Sequence, residues 1–103
     1  MSQFVMLTRL YPGAAHSPRG LEKVERDCMG RVREHCPEVK WLKSYALTGR
    51  FDYLDIFEAP NVEAAFKVAT LIRTFGHAHT EVWGALEWEA FKQLAETLPA
   101  ADE

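Results

Sequence analysis

Residues 39–59 read VKWLKSYALTGRFDYLDIFEA, and the parsing of this stretch decides the fold. Residues 39–47 and 51–59 are both rich in aromatic and branched side chains, and Thr48-Gly49-Arg50 makes a short connection between them. That pattern predicts a β-hairpin in the middle of the chain.

Outward toward the N-terminus, Ser17-Pro18 opens a helix, with serine as N-cap and proline at the first helical position. Leu21, Val24, Cys28, Val32 and His35 then follow the three-or-four spacing of one buried helical face, and Cys36-Pro37 stops it. Residues 3–10, QFVMLTRL, alternate as a first strand that ends at Tyr11-Pro12-Gly13. Outward toward the C-terminus, Asn61 after Pro60 caps a second helix with Ala65, Phe66, Ala69, Ile72 and Phe75 on one face, and Gly76 stops it. FGHAHTEVW, residues 75–83, carries the fourth strand. A last amphipathic helix runs from about Glu87 to Thr97, with Trp88, Phe91, Leu94 and Leu98 as its apolar side. The order is that of an α+β, ferredoxin-like split βαβ fold, βαββαβ plus a C-terminal helix. Both crossover helices must lie on one face of a four-stranded antiparallel sheet. The expected organisation is a single domain over residues 1–98 and a frayed tail at 99–103.

The bulk properties fit one domain: 103 residues, 48% hydrophobic and 12% aromatic. A net charge of -3 supplies no basic stripe for a phosphate backbone, so nucleic acid is not an expected partner. No apolar run approaches the roughly 18 to 20 residues of a spanning helix, and the N-terminus lacks the order of a signal peptide. The expectation is a cytoplasmic protein without membrane attachment. Cys28 and Cys36, eight apart in a helical pattern, lie about 12 Å from each other, which precludes a disulfide between them.

Because side chains alternate across a strand, each strand divides into two rows. Val5, Leu7, Leu42, Ala46, Leu54, Ile56, Ala78, Thr80 and Val82 are mostly small or aliphatic and are expected beneath the helices. Phe4, Met6, Thr8, Trp41, Lys43, Tyr45, Tyr53, Asp55, Phe57, His77, His79, Glu81 and Trp83 are expected on the helix-free face. So large an apolar patch calls for a cover, and a second copy of the chain, sheet against sheet in a two-fold homodimer, is the economical one. A dry seam has no use for the polar members of that row, whereas a ligand cavity lined by aromatics and a few convergent polar groups does.

FVMLTRL, SPRGLEKV, GRFDYLDIFEAPN and RTFGHAHTEVW together resemble the GYD-domain proteins, small bacterial and archaeal proteins, over about residues 2–98. The resemblance implies a dimeric α+β barrel arrangement and says little about activity. The wider group of such barrels includes cofactor-independent monooxygenases, lactone isomerases, haem enzymes and amino-acid-sensing domains. Phe51 stands where the family tends to carry tyrosine, so the phenolic hydroxyl is missing there.

Three readings compete for the polar row. For a metal, His77 and His79 at i and i+2 have Cα atoms roughly 7 Å apart and can share an ion, but Glu81 lies about 13 Å from His77 and does not close the site. No metal and no cofactor is therefore expected. For acid-base work the candidates are His79, Glu81 and Asp55, with His79 and Glu81 the nearer pair. In the plain alternative, His77 sits at a helix C-terminus, His79 and Glu81 make polar contacts at the dimer seam, and Trp83 packs. Asp52 is expected to bond local amides in the hairpin. The favoured reading is small-molecule binding or sensing by Thr8, Trp41, Tyr45, Tyr53, Phe57, His77, His79 and Trp83. The alternative is a cofactor-independent enzyme of monooxygenase or isomerase type built on His79.

Overall fold

The hairpin forms, and its connection is longer than the three residues expected. In the computed structural model, which describes residues 1–14, 17–75 and 78–101, the strands are β2 (Lys40–Ala46) and β3 (Tyr53–Ala59). Around them lie β1 (Ser2–Leu10), α1 (Pro18–His35), α2 (Val62–Phe75), β4 (Ala78–Ala85) and α3 (Trp88–Glu96). The four strands make one antiparallel sheet in the order β2-β3-β1-β4, as the ferredoxin-like reading requires.

Local chemistry sets the ends of the elements. The Ser17 hydroxyl accepts from the Gly20 amide at 3.1 Å and Pro18 opens α1, while the Cys36 amide closes it on the Val32 carbonyl at 2.8 Å. Asn61 Oδ1 accepts from the Ala64 amide at 2.9 Å at the start of α2. After β1 the chain reverses through Tyr11–Ala14, closed by the Ala14 amide on the Tyr11 carbonyl, with Gly13 at φ 84 where a side chain would be strained. Cys28 and Cys36 are both buried and free.

Asp52 reaches much further than a local turn bond. Its carboxylate accepts from the Leu10 amide at 2.8 Å, and its own amide donates to the Thr8 carbonyl at 2.7 Å. One residue thus ties the β2–β3 connection to the end of β1, 42 positions away in the chain.

The assignment of rows to faces requires correction. Residues opposite one another on antiparallel strands share a face. β1 pairs Phe4 with Phe57, Met6 with Asp55 and Thr8 with Tyr53, and on its other side Met6 with Val82 and Thr8 with Thr80. Phe4, Met6, Thr8, Asp55, Phe57, Ala59, Ala78 and Thr80 are all buried, and the apolar ones form the core with Cys28, Val32, Ala64, Ala65, Val68 and Ile72 of the helices. The aromatic row of β1 and β3 therefore lies under the helices, and Val5, Leu7, Leu54 and Ile56 lie on the open face beside His79, Glu81 and Trp83. β4 was oriented as expected throughout, and β2 at Lys43, Tyr45 and Ala46 but not at Trp41. The physical reason is complementary size: α2 presents a face of alanines to the sheet, and large rings fill the space they leave. Phe57 stacks between Phe4 (centroids 5.6 Å) and Trp41 (5.3 Å).

β2 does not keep one alternation. A bulge between Trp41 and Lys43 lets Trp41 pair with Phe57 and Ser44 pair with Asp55, so residues three apart share the helix side. Lys43 and Tyr45 turn to the open face with Ile56 and Leu54. On the helices, Phe66 and Phe75, expected inward, are exposed, while Ala64 and Val68 are buried. α3 buries no residue and does not cover the open face. The molecule is accordingly long, 57 × 30 × 19 Å, with a radius of gyration of 16.3 Å against about 13 Å for a rounded domain of this size. Among the described residues no helix is long and apolar enough to cross a membrane.

Candidate functional site

Between α1 and the middle of the sheet lies a cavity of about 250 Å³. Its sheet wall carries Met6, Thr8, Leu10, Ser44, Ala46, Tyr53, Asp55 and Ala78, and its helix wall Val24, Glu25, Cys28, Met29 and Ile72. Tyr45 borders it from the edge strand. The wall is mostly apolar with a few polar groups converging, the composition of a small-molecule site.

Two of those polar groups are anomalous. Asp55 is 9% exposed, and burial pushes its pKa up, against the Ser44 hydroxyl and Trp41 indole, whose hydrogen bonding favours the carboxylate. The Trp41 indole N–H itself donates to Ser44 Oγ at 2.9 Å, so the three side chains form one polar cluster at the bulge. Thr8 is 4% exposed and its hydroxyl has no hydrogen-bond partner. Thr80, directly opposite Thr8 on β4, is likewise buried with an unpartnered hydroxyl. A buried hydroxyl left unmatched costs about 1–3 kcal/mol, which makes this pair an exception to ordinary packing. Ser44 pairs with Asp55 across β2 and β3, so one small ligand can reach both on the cavity wall.

The residues singled out from the sequence are divided by the sheet. Thr8, Tyr53 and Asp55 line the cavity. Trp41 and Phe57 stack beside it in the core. Tyr45, His79 and Trp83 are exposed, and His79, Glu81 and Trp83 lie on the far side of the sheet from Asp55. Glu81 accepts from the Trp83 indole at 3.2 Å, and His79 lies opposite Arg9. His79, Glu81 and Asp55 therefore do not share one site. His77, like His16 and the Gly76 helix stop, falls outside the described residues, and among the described residues no three of His, Cys, Asp or Glu converge on a possible ion.

Ser44, Glu25, Cys28 and Met29 join the cavity without having been singled out as site residues. Glu25 and Met29 each adjoin a member of the buried stripe read from Val24 and Cys28, so the helix period carried that signal. Ser44 carried none, because its orientation depends on the bulge.

Burial of the cavity wall shows in two more groups. The Cys28 thiol and the Tyr53 phenol are both raised, chiefly by burial and secondarily by nearby carboxylates.

The sequence matches the GYD domain family over residues 4–95. No curated protein matches it. Among solved structures it is similar to the leucine response regulatory protein LrpA of Mycobacterium tuberculosis. The TM-score is 0.56 at 17% identity, covering 84% of this chain and 51% of that one. The chain thus spans about half the length of LrpA, and the likeness is one of fold. A second similar structure is the hypothetical protein ORF119 from Sulfolobus islandicus rod-shaped virus 1, with TM-score 0.49, 13% identity and coverage of 93% and 78%.

Proposed function

The chain belongs to the GYD domain family, and on that footing we propose that it binds or senses a small molecule in the cavity between α1 and the sheet, without a metal or cofactor, as a homodimer joined through the open sheet face. The observation that carries the binding reading is Asp55, buried on the wall of a mostly apolar cavity beside Ser44 and Tyr53. Binding is favoured over turnover because the sheet separates the cavity and Asp55 from His79 and Glu81, so the histidine read as acid or base does not face the cavity.

The open face supplies the argument for the second copy. Val5, Leu7, Leu54 and Ile56 form an aliphatic centre that is only partly buried in the single chain, with Trp83 56% and Tyr45 47% exposed at its sides. Arg9 and Lys43 on that face are opposite in sign to Glu58 and Glu81 on the same face, and a two-fold axis can bring them together.

The test is titration of 15N-labelled protein with 3-methylbutan-1-ol, a neutral probe small enough for the cavity. Shifts concentrated at Thr8, Cys28, Ser44 and Asp55 support the binding site, and shifts confined to Val5, Leu7 and His79 refute it. Light scattering should give twice the chain mass, and a monomer at all concentrations refutes the dimer.

A further inference from the structure

We propose that the cavity selects small organic cations, a primary ammonium carried on a short branched aliphatic or aromatic body, and rejects carboxylates of the same shape. This rests on the cavity being the binding site. It concerns what the site admits.

The inference comes from the sign of the charges on the wall. Asp55 and Glu25 line the cavity from the sheet and from α1, and the remaining polar groups, Thr8, Ser44 and Tyr53, are neutral hydroxyls. Among the described lining residues there is no lysine, arginine or histidine. Two guanidinium groups of the helices are held elsewhere: Arg31 lies 4.1 Å over the Phe75 ring, and Arg73 donates to the Thr80 carbonyl at 2.9 Å. Beyond burial, the thiol of Cys28 is raised by Glu25 and Asp55 against Arg31, and the phenol of Tyr53 by Asp52 and then by Glu25 and Asp55. An anion entering this space meets like charge in a partly desolvated site without a counter-ion among the described residues, the costly case.

An ammonium meets the reverse. It carries three donors and no acceptor, and the wall carries the carboxylate residues Asp55 and Glu25 with the hydroxyl residues Ser44 and Tyr53. Met6, Leu10, Val24, Met29 and Ile72 supply the apolar surround for a hydrocarbon body. At about 250 Å³ the cavity is smaller than the roughly 300–1,000 Å³ of drug-sized sites, which restricts the body to a few heavy atoms.

Three probes of one shape test this: isopentylammonium, 3-methylbutan-1-ol and 3-methylbutanoate, titrated separately into 15N-labelled protein at pH 7. A charge-assisted hydrogen bond in place of a neutral one predicts that the amine binds about tenfold tighter than the alcohol. The carboxylate should bind weakest. In Asp55→Asn the amine's advantage over the alcohol should be lost, with thermal unfolding reporting that the variant is folded. If the alcohol or the carboxylate equals the amine in the wild-type protein, the selectivity is wrong and the binding site stands. If none of the three moves Thr8, Ser44 or Cys28, both are wrong.

Discussion

The two sides of this sheet each have an apolar centre and are opposite in use. The helix side takes rings, hydroxyls and a carboxyl: Phe4, Trp41 and Phe57 stacked, with Thr8 and Asp55 buried among them. The open side takes aliphatics flanked by charge: Val5, Leu7, Leu54 and Ile56 with Arg9, Lys43, Glu58 and Glu81. The contrast teaches that the richer polar chemistry can lie on the covered side, provided a cavity is left for it. The uncovered side is the plainer surface, suited to a copy of itself.

The sharpest way to break this comparison is to truncate neighbours on β3. Phe57, fully buried, should cost about 3–5 kcal/mol as Phe57→Ala at any protein concentration. Ile56→Ala, on the open face, should cost less in the monomer and show its effect as weakened association. Urea unfolding over a concentration series checks both, and equal, concentration-independent losses contradict the face assignment. Next in size is Asp52→Ala, which strands the Leu10 amide and should cost about 1–3 kcal/mol by the same unfolding measurement.

A smaller change of opposite sign is expected from Thr8→Val. Removing an unpartnered buried hydroxyl should stabilise the protein by about 1 kcal/mol, measured by thermal unfolding. The smallest effect is a slope. Because burial raises the pKa of Asp55, the folded state holds its proton more tightly than the unfolded state. This group's contribution to stability therefore falls as pH rises from the ordinary aspartate pKa through the raised one. Asp55→Asn should remove that slope and be relatively more stable above it, as unfolding between pH 3 and 7 would report.

Much of the architecture was legible in the sequence. Ser17-Pro18, Asn61 and Cys36-Pro37 placed the helix ends because capping is local chemistry. The antiparallel order β2-β3-β1-β4 followed from element order and crossover handedness. The faces were not legible, because both rows of β1 and β3 are apolar and alternation gives parity without direction. Charge on His79 and Glu81 oriented β4, and its register with β1, pairing Leu7 with Glu81, would have oriented the rest. That register is a property of pairing between strands far apart in the chain. The bulge that turns Ser44 toward Asp55, and the long reach of Asp52 to Leu10, are non-local for the same reason.

The central claim, that the ligand enters under α1 and leaves the open face free, is tested most directly by intermolecular NOEs from the methyl groups of isopentylammonium. The account predicts contacts to the methyls of Met6, Met29 and Ile72. Contacts to Leu7, Leu54 and Ile56 in their place would contradict it.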